Sequence, residues 1–150
     1  MLTTLPWLGL LARIFIGGFF VYAAVPKIIE PLAFATSISH YGMMPSWLVN
    51  AYALFIPWLE LLVGICLVLG YKVRTSSALA GIMLLMFTAA VAWAVVHDLK
   101  IDCGCFGADG GEEVSWLKVA KNFGMTALCV YLFLHPTTAV SLEHGLKGRL

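Results

Sequence analysis

Four apolar stretches limit this chain more than anything else in it. They run approximately over 5–25, 48–69, 77–96 and 116–134, each close to the ~20 residues that an α-helix needs to cross a bilayer at about 1.5 Å per residue. Of the 150 residues, 61% are hydrophobic and 11% charged, whereas a soluble domain is about a quarter charged. A soluble core of this size has no means of hiding so much apolar surface. Composition and spacing therefore predict an all-α, polytopic membrane four-helix bundle forming one domain over 1–150. No repeat or linker divides it. A formal net charge of +1 with scattered basic residues offers nothing to nucleic acid.

Four crossings put both termini on the same side. Lys72 and Arg74 in "YKVRTS", with Lys147 and Arg149 in the tail, mark that side as cytoplasmic by the excess of basic residues. The longer connections, 26–47 and 97–115, then face outward, which puts the second in an oxidising compartment where disulfides persist. In the first, Pro31 suits the opening position of a helix, Leu32, Ala35, Ile38 and Ser39 follow helical spacing, and Gly42 offers a stop. A short interfacial helix is expected there. Trp7, Trp47, Trp93 and Trp116 fall near span ends as interfacial anchors, whereas Trp58 is expected to pack inside.

The second connection, "HDLKIDCGCFGADGGEE", carries the sharpest chemical signal. Cys103 and Cys105, one glycine apart, can close a small disulfide ring that constrains little of the unfolded chain and is therefore a poor staple. Strained, exposed disulfides are the labile ones, which points to thiol–disulfide exchange. A static bridge in a non-enzymatic scaffold or partner subunit is one alternative. A soft-metal site with His97 is another, but two sulfurs and one imidazole are an incomplete zinc set, and no metal is assigned. Cys66 and Cys129 lie too deep to meet Cys103, about 27 Å and 20 Å below the outer helix ends at 1.5 Å per residue, and read as packing residues.

Charges inside a bilayer are paired or functional. Arg13 and Glu60 lie at similar distances from the inner ends of their spans, about 12 Å and 15 Å, which predicts an Arg13–Glu60 ion pair. The functional alternative is that the pair lines a polar pocket for a quinone headgroup or a proton path. Lys27, beside Pro26 at the outer end of the first span, is expected to snorkel to the headgroups. Lys121 and Asn122, just over a turn into the last span, complete a candidate supporting network near the cysteines, where a cation lowers a thiol pKa.

The segments "ARIFIGGFFVYAAVPKI", "FATSISHYGMMP", "PWLELLVGICLVLG", "DCGCFG" and "VSWLKVAKN", taken in order, resemble a MauE-type member of the DoxX-like membrane proteins. The resemblance implies a four-helix inner-membrane protein associated with maturation of methylamine dehydrogenase, a client rich in periplasmic disulfides. It also implies a periplasmic thiol client or thioredoxin-like partner for Cys103 and Cys105. The wider DoxX grouping implies quinone as an alternative cofactor. Vitamin K epoxide reductase shares the four-helix plan, but its quinone-facing CxxC is absent from this chain. Lys121 stands where the resemblance leads one to expect arginine, keeping the charge without the planar fork.

Overall fold

The structure is a computed structural model that describes residues 6–101, 114–136 and 145. Its elements, in chain order, are α1 (Pro6–Ile29), α2 (Pro31–Ser39), α3 (Ser46–Leu69), α4 (Val73–Val96) and α5 (Trp116–Leu134). All are helices. α1, α3, α4 and α5 are each long and apolar enough to cross a membrane. The sequence places the same four spans, the first three with shorter limits and the last, 116–134, with the limits of α5. α1 continues to Ile29 through Pro26, because proline sacrifices only its own backbone donor near a helix end that Glu30 N–H closes onto Pro26 O at 3.0 Å.

α2 is the short helix expected in the first connection, opened by Pro31 and followed by Gly42 at φ 66°. The turn between α3 and α4 is tighter than the sequence suggests. Gly70, at φ 73°, lets its own N–H reach Leu67 O while Tyr71 N–H reaches Cys66 O at 2.9 Å, closing the α3 carbonyl end. Lys72, also left-handed, starts α4 one residue later.

Packing divides the bundle into two pairs. α1 lies along α3 and α4 along α5, while α3 with α4 and especially α1 with α5 meet more sparingly. The α1–α3 approach is closest at two glycines. A Cβ on Gly17 would stand 2.7 Å from Gly64 O, and one on Gly64 would stand 2.8 Å from Gly17 O, so only hydrogen fits at either position. Ile16, Phe20, Val63, Leu67, Leu84 and Leu132 form the core between the pairs, with Cys129 buried among them.

Much of the remaining apolar surface points outward. Only 28% of the most apolar window of α3 is buried inside the protein. Trp58 is 57% exposed, together with Phe55 and Leu62, which corrects the expectation that it packs within. A hydrocarbon solvent removes the reason to hide it, because lipid tails are as apolar as a protein core. Trp7, Trp47, Trp93 and Trp116 are exposed near helix ends, as interfacial anchoring requires.

Candidate functional site

The Gly17–Gly64 contact fixes the register of α1 against α3 and so decides where every charge on them falls. Arg13 precedes Gly17 by one turn, and Glu60 precedes Gly64 by one turn. Because the helices are antiparallel, the two side chains diverge to opposite sides of the crossing, about 12 Å apart along the axis at 1.5 Å per residue. The tilt of Cα–Cβ bonds toward each helix N-terminus separates them further. The expected Arg13–Glu60 ion pair is therefore not formed. Equal distances from helix ends misled because the ends are not flush. α1 begins well beyond the crossing, whereas α3 stops about five residues after it.

The same tilt brings Lys27 and Glu60 together. Lys27 leans back along α1 and Glu60 leans toward it along α3, so that Nζ donates to Oε1 and Oε2, both at 3.0 Å. Lys27 is 4% exposed and lies 4.9 Å from the ring centroid of Phe34 on α2. It does not snorkel to the headgroups. The roof that α2 places over the end of α1 gives the ammonium an aromatic face and a carboxylate instead of water.

Arg13 has a different environment. It is fully buried, its Nε donates to Leu67 O at 3.2 Å, and its guanidinium presses against Gly70, where any Cβ would collide with it. A cation at the carbonyl end of α3 is well placed against the helix dipole.

The Lys27–Glu60 pair instead forms a wall shared by two cavities. The larger, about 330 Å³, lies beneath α2 between α3 and α4 and is lined by Met43, Met44, Met83 and Met86 together with Tyr52 and Trp93. Met83 and Met86 share one face of α4 by their spacing, opposite the pair Met43 and Met44 that follows α2. Thioethers make adaptable walls. The smaller cavity, about 40 Å³, lies between the ion pair and Asn122 among Phe19, Phe20 and Phe87. Tyr41, outside the spans, also borders the larger space, and burial pushes its phenol up to about 12.

Of the other predicted residues, Asn122 is buried on the inner face of α5, whereas Lys121 is exposed and outside the ion pair. His97 stacks on Trp93 with centroids 4.0 Å apart, and its Nδ1 lies 2.9 Å from Trp93 O. Among the described residues no three His, Cys, Asp or Glu side chains gather as a metal set. Cys103 and Cys105 lie outside the described residues. The connection that carries them leaves α4 after Val96 and enters α5 at Trp116, and Val114 N–H meets Ile101 O at 3.2 Å between the two helices. That is the end of the bundle where α2 and the Lys27–Glu60 pair lie, since Trp93 lines the same cavity.

The methionine lining had no signal in the sequence beyond the doublet Met43-Met44. The Lys27–Glu60 pairing had one: side-chain tilt on antiparallel helices joined at facing glycines.

The family model described as "Methylamine utilisation protein MauE" matches residues 5–135. The chain is similar to a methylamine utilization protein MauE of Methylorubrum extorquens, 34% identical over 104 residues, covering 69% of this chain and 56% of that relative's length. It is 33% identical over 141 residues to the protein so named in Paracoccus denitrificans, covering 92% and 76%, and 25% identical over 147 residues to that of Methylophilus methylotrophus, covering 95% and 77%. The chain thus spans little more than half of the first of these relatives. No solved structure matches it.

Proposed function

Because the chain belongs to the family of the methylamine utilisation protein MauE, we propose that it is a multi-pass inner-membrane accessory factor that supports disulfide formation in periplasmic proteins through Cys103 and Cys105. The client by family likeness is a methylamine-dehydrogenase-type enzyme, and both termini are cytoplasmic. One observation carries the reading: the sequence sets two cysteines one residue apart in the connection between α4 and α5, whose described ends, Ile101 and Val114, pair at the end of the bundle roofed by α2.

In the forward step a client thiolate attacks the Cys103–Cys105 disulfide, forming a mixed disulfide and releasing one thiolate of the pair. The client's second thiolate displaces the other, so the client loses two electrons and its thiol protons, and both cysteines end as thiols. A thioredoxin-like disulfide partner restores the pair by the same exchange. Run in reverse, the sequence reduces the client. The test is trapping: a Cys105→Ser or Cys103→Ser chain, expressed in cells, is expected to accumulate a mixed disulfide with a periplasmic protein. Full activity of both variants with no captured partner rejects exchange and favours a scaffold whose cysteines are permanently bridged.

The larger cavity favours a second reading of DoxX type. A quinone headgroup among Met83, Met86 and Trp93, hydrogen-bonded to the Lys27–Glu60 pair, would make the chain a quinone-binding oxidoreductase subunit. Quinone that copurifies with the wild-type chain and is lost in Glu60→Gln supports it. Equal quinone content in both rejects it.

A further inference from the structure

Among the described residues two buried polar groups on α5, Asn122 Nδ2 and the Tyr131 hydroxyl, find no hydrogen-bond partner, and Asn122 is the one that borders the cavity beside the ion pair. It is 8% exposed on α5. Its backbone carbonyl accepts a bond from Thr126 Oγ1 at 2.8 Å, but its side-chain Nδ2 has no partner among the described residues. An amide left so in an apolar interior is costly, and such groups are nearly always satisfied by protein or by lodged water.

The space beside it has the size and chemistry to satisfy it. The cavity of about 40 Å³ that Asn122 lines exceeds the roughly 10–15 Å³ that one water requires, and its other polar walls are Lys27 and Glu60. Each Glu60 oxygen accepts from Lys27 and keeps a further lone pair, and the ammonium has three donors in all. The remaining walls, Phe19, Phe20, Leu84 and Phe87, offer a water nothing, which confines it to the polar side.

We propose that this cavity is a binding site for one ordered water, which accepts a hydrogen bond from Asn122 Nδ2 and donates to the Glu60 carboxylate. The water ties α5 to the charged centre held by α1 and α3. It bridges the two helix pairs where direct contact between α1 and α5 is slight. Asn122 is then a positioning residue: it orients the water that holds Glu60 against Lys27. This site stands independently of the cysteine chemistry.

Leucine nearly matches asparagine in shape, and the sign of its effect separates a bridged amide from a dry one. Replacing an unsatisfied buried amide by an apolar group of like shape is neutral or stabilising, whereas removing one end of a bridge exposes the cost of the other end. For the full chain in detergent micelles, Asn122→Leu is expected to raise the unfolded-to-folded ratio by roughly tenfold. In a Lys27→Met, Glu60→Met background, where the water has lost its acceptor, the same change is expected to lower it. An unchanged or lowered ratio for Asn122→Leu alone overturns the proposal. A readout on the wild-type chain avoids dependence on folding of the variants. Phe20, 4% exposed, borders the cavity, so radiolytic labelling in ¹⁸O-water is expected to oxidise it from the lodged molecule. An unmodified Phe20 beside labelled surface aromatics overturns the site.

Discussion

Arg13 and the Lys27–Glu60 pair are both buried charges on the same two helices, one on each side of the Gly17–Gly64 crossing, yet they are built for different ends. Arg13 is fully buried against the carbonyl end of α3 and the bare backbone of Gly70. Lys27 is buried and Glu60 half-buried, and the pair faces a methionine-lined space on one side and an amide-lined one on the other. A cation packed against the carbonyl end of a helix serves the fold. One that walls a cavity has been kept where a ligand or a water can reach it, at the energetic cost that intramembrane charges carry.

Removing one partner of the pair gives the largest expected effect. Glu60→Ala leaves the Lys27 ammonium buried without its carboxylate and is expected to destabilise the fold by about 3–5 kcal/mol, measured as a shift in denaturant unfolding in micelles. A loss below about 1 kcal/mol would mean that Lys27 escapes to solvent and that the contrast with Arg13 is false. Next comes Gly70→Ala, which places a Cβ against Arg13 at a positive φ. It is expected to cost more than about 1 kcal/mol while leaving binding in the Lys27–Glu60 cavity unchanged, since it strikes the other centre. An equal loss at both centres would merge them into one.

A smaller effect on stability is expected from exchanging the whole pair. Lys27→Met with Glu60→Met removes both charges and keeps volume, so the fold is expected to hold within about 1 kcal/mol of the wild type, as apolar replacements of buried pairs often do. A collapse comparable to Glu60→Ala would make the pair structural, like Arg13. The smallest effect concerns Tyr41 at the cavity rim. With its phenol pushed from 10.0 up to about 12 by burial, its contribution to stability is whole below pH 10 and is lost as pH rises toward 12. Tyr41→Phe is expected to abolish that loss and to remove one late step from an absorbance titration of phenolate. A variant that titrates identically to the wild type rejects it.

The spans and the short helix after Pro31 were legible because each is a local pattern: apolar length and a first-turn proline. The charged centre was half legible. Arg13 and Glu60 announced themselves as costly residues in apolar runs, but their partners depend on where two helices cross, and depth measured from helix ends assumes ends that are flush. Lys27 beside Pro26 resembles a terminal anchor, and only the fold of α2 over it shows otherwise. Trp58 was misread because packing inward and facing lipid give one sequence signal. The methionine-lined cavity brings together two distant segments, and no local pattern announces that meeting.

The reading of the α2 end as the working end rests on the cysteines that the sequence places there. Thiol labelling of intact cells with a maleimide that cannot cross the inner membrane, repeated across a graded series of thiol redox buffers, tests it most directly. Cys103 and Cys105 are expected to be shielded under oxidising buffer and to label together, as a two-electron couple, once mild reductant is added. Labelling only after the inner membrane is opened, or a pair that stays closed under reductants that open labile disulfides, would contradict it.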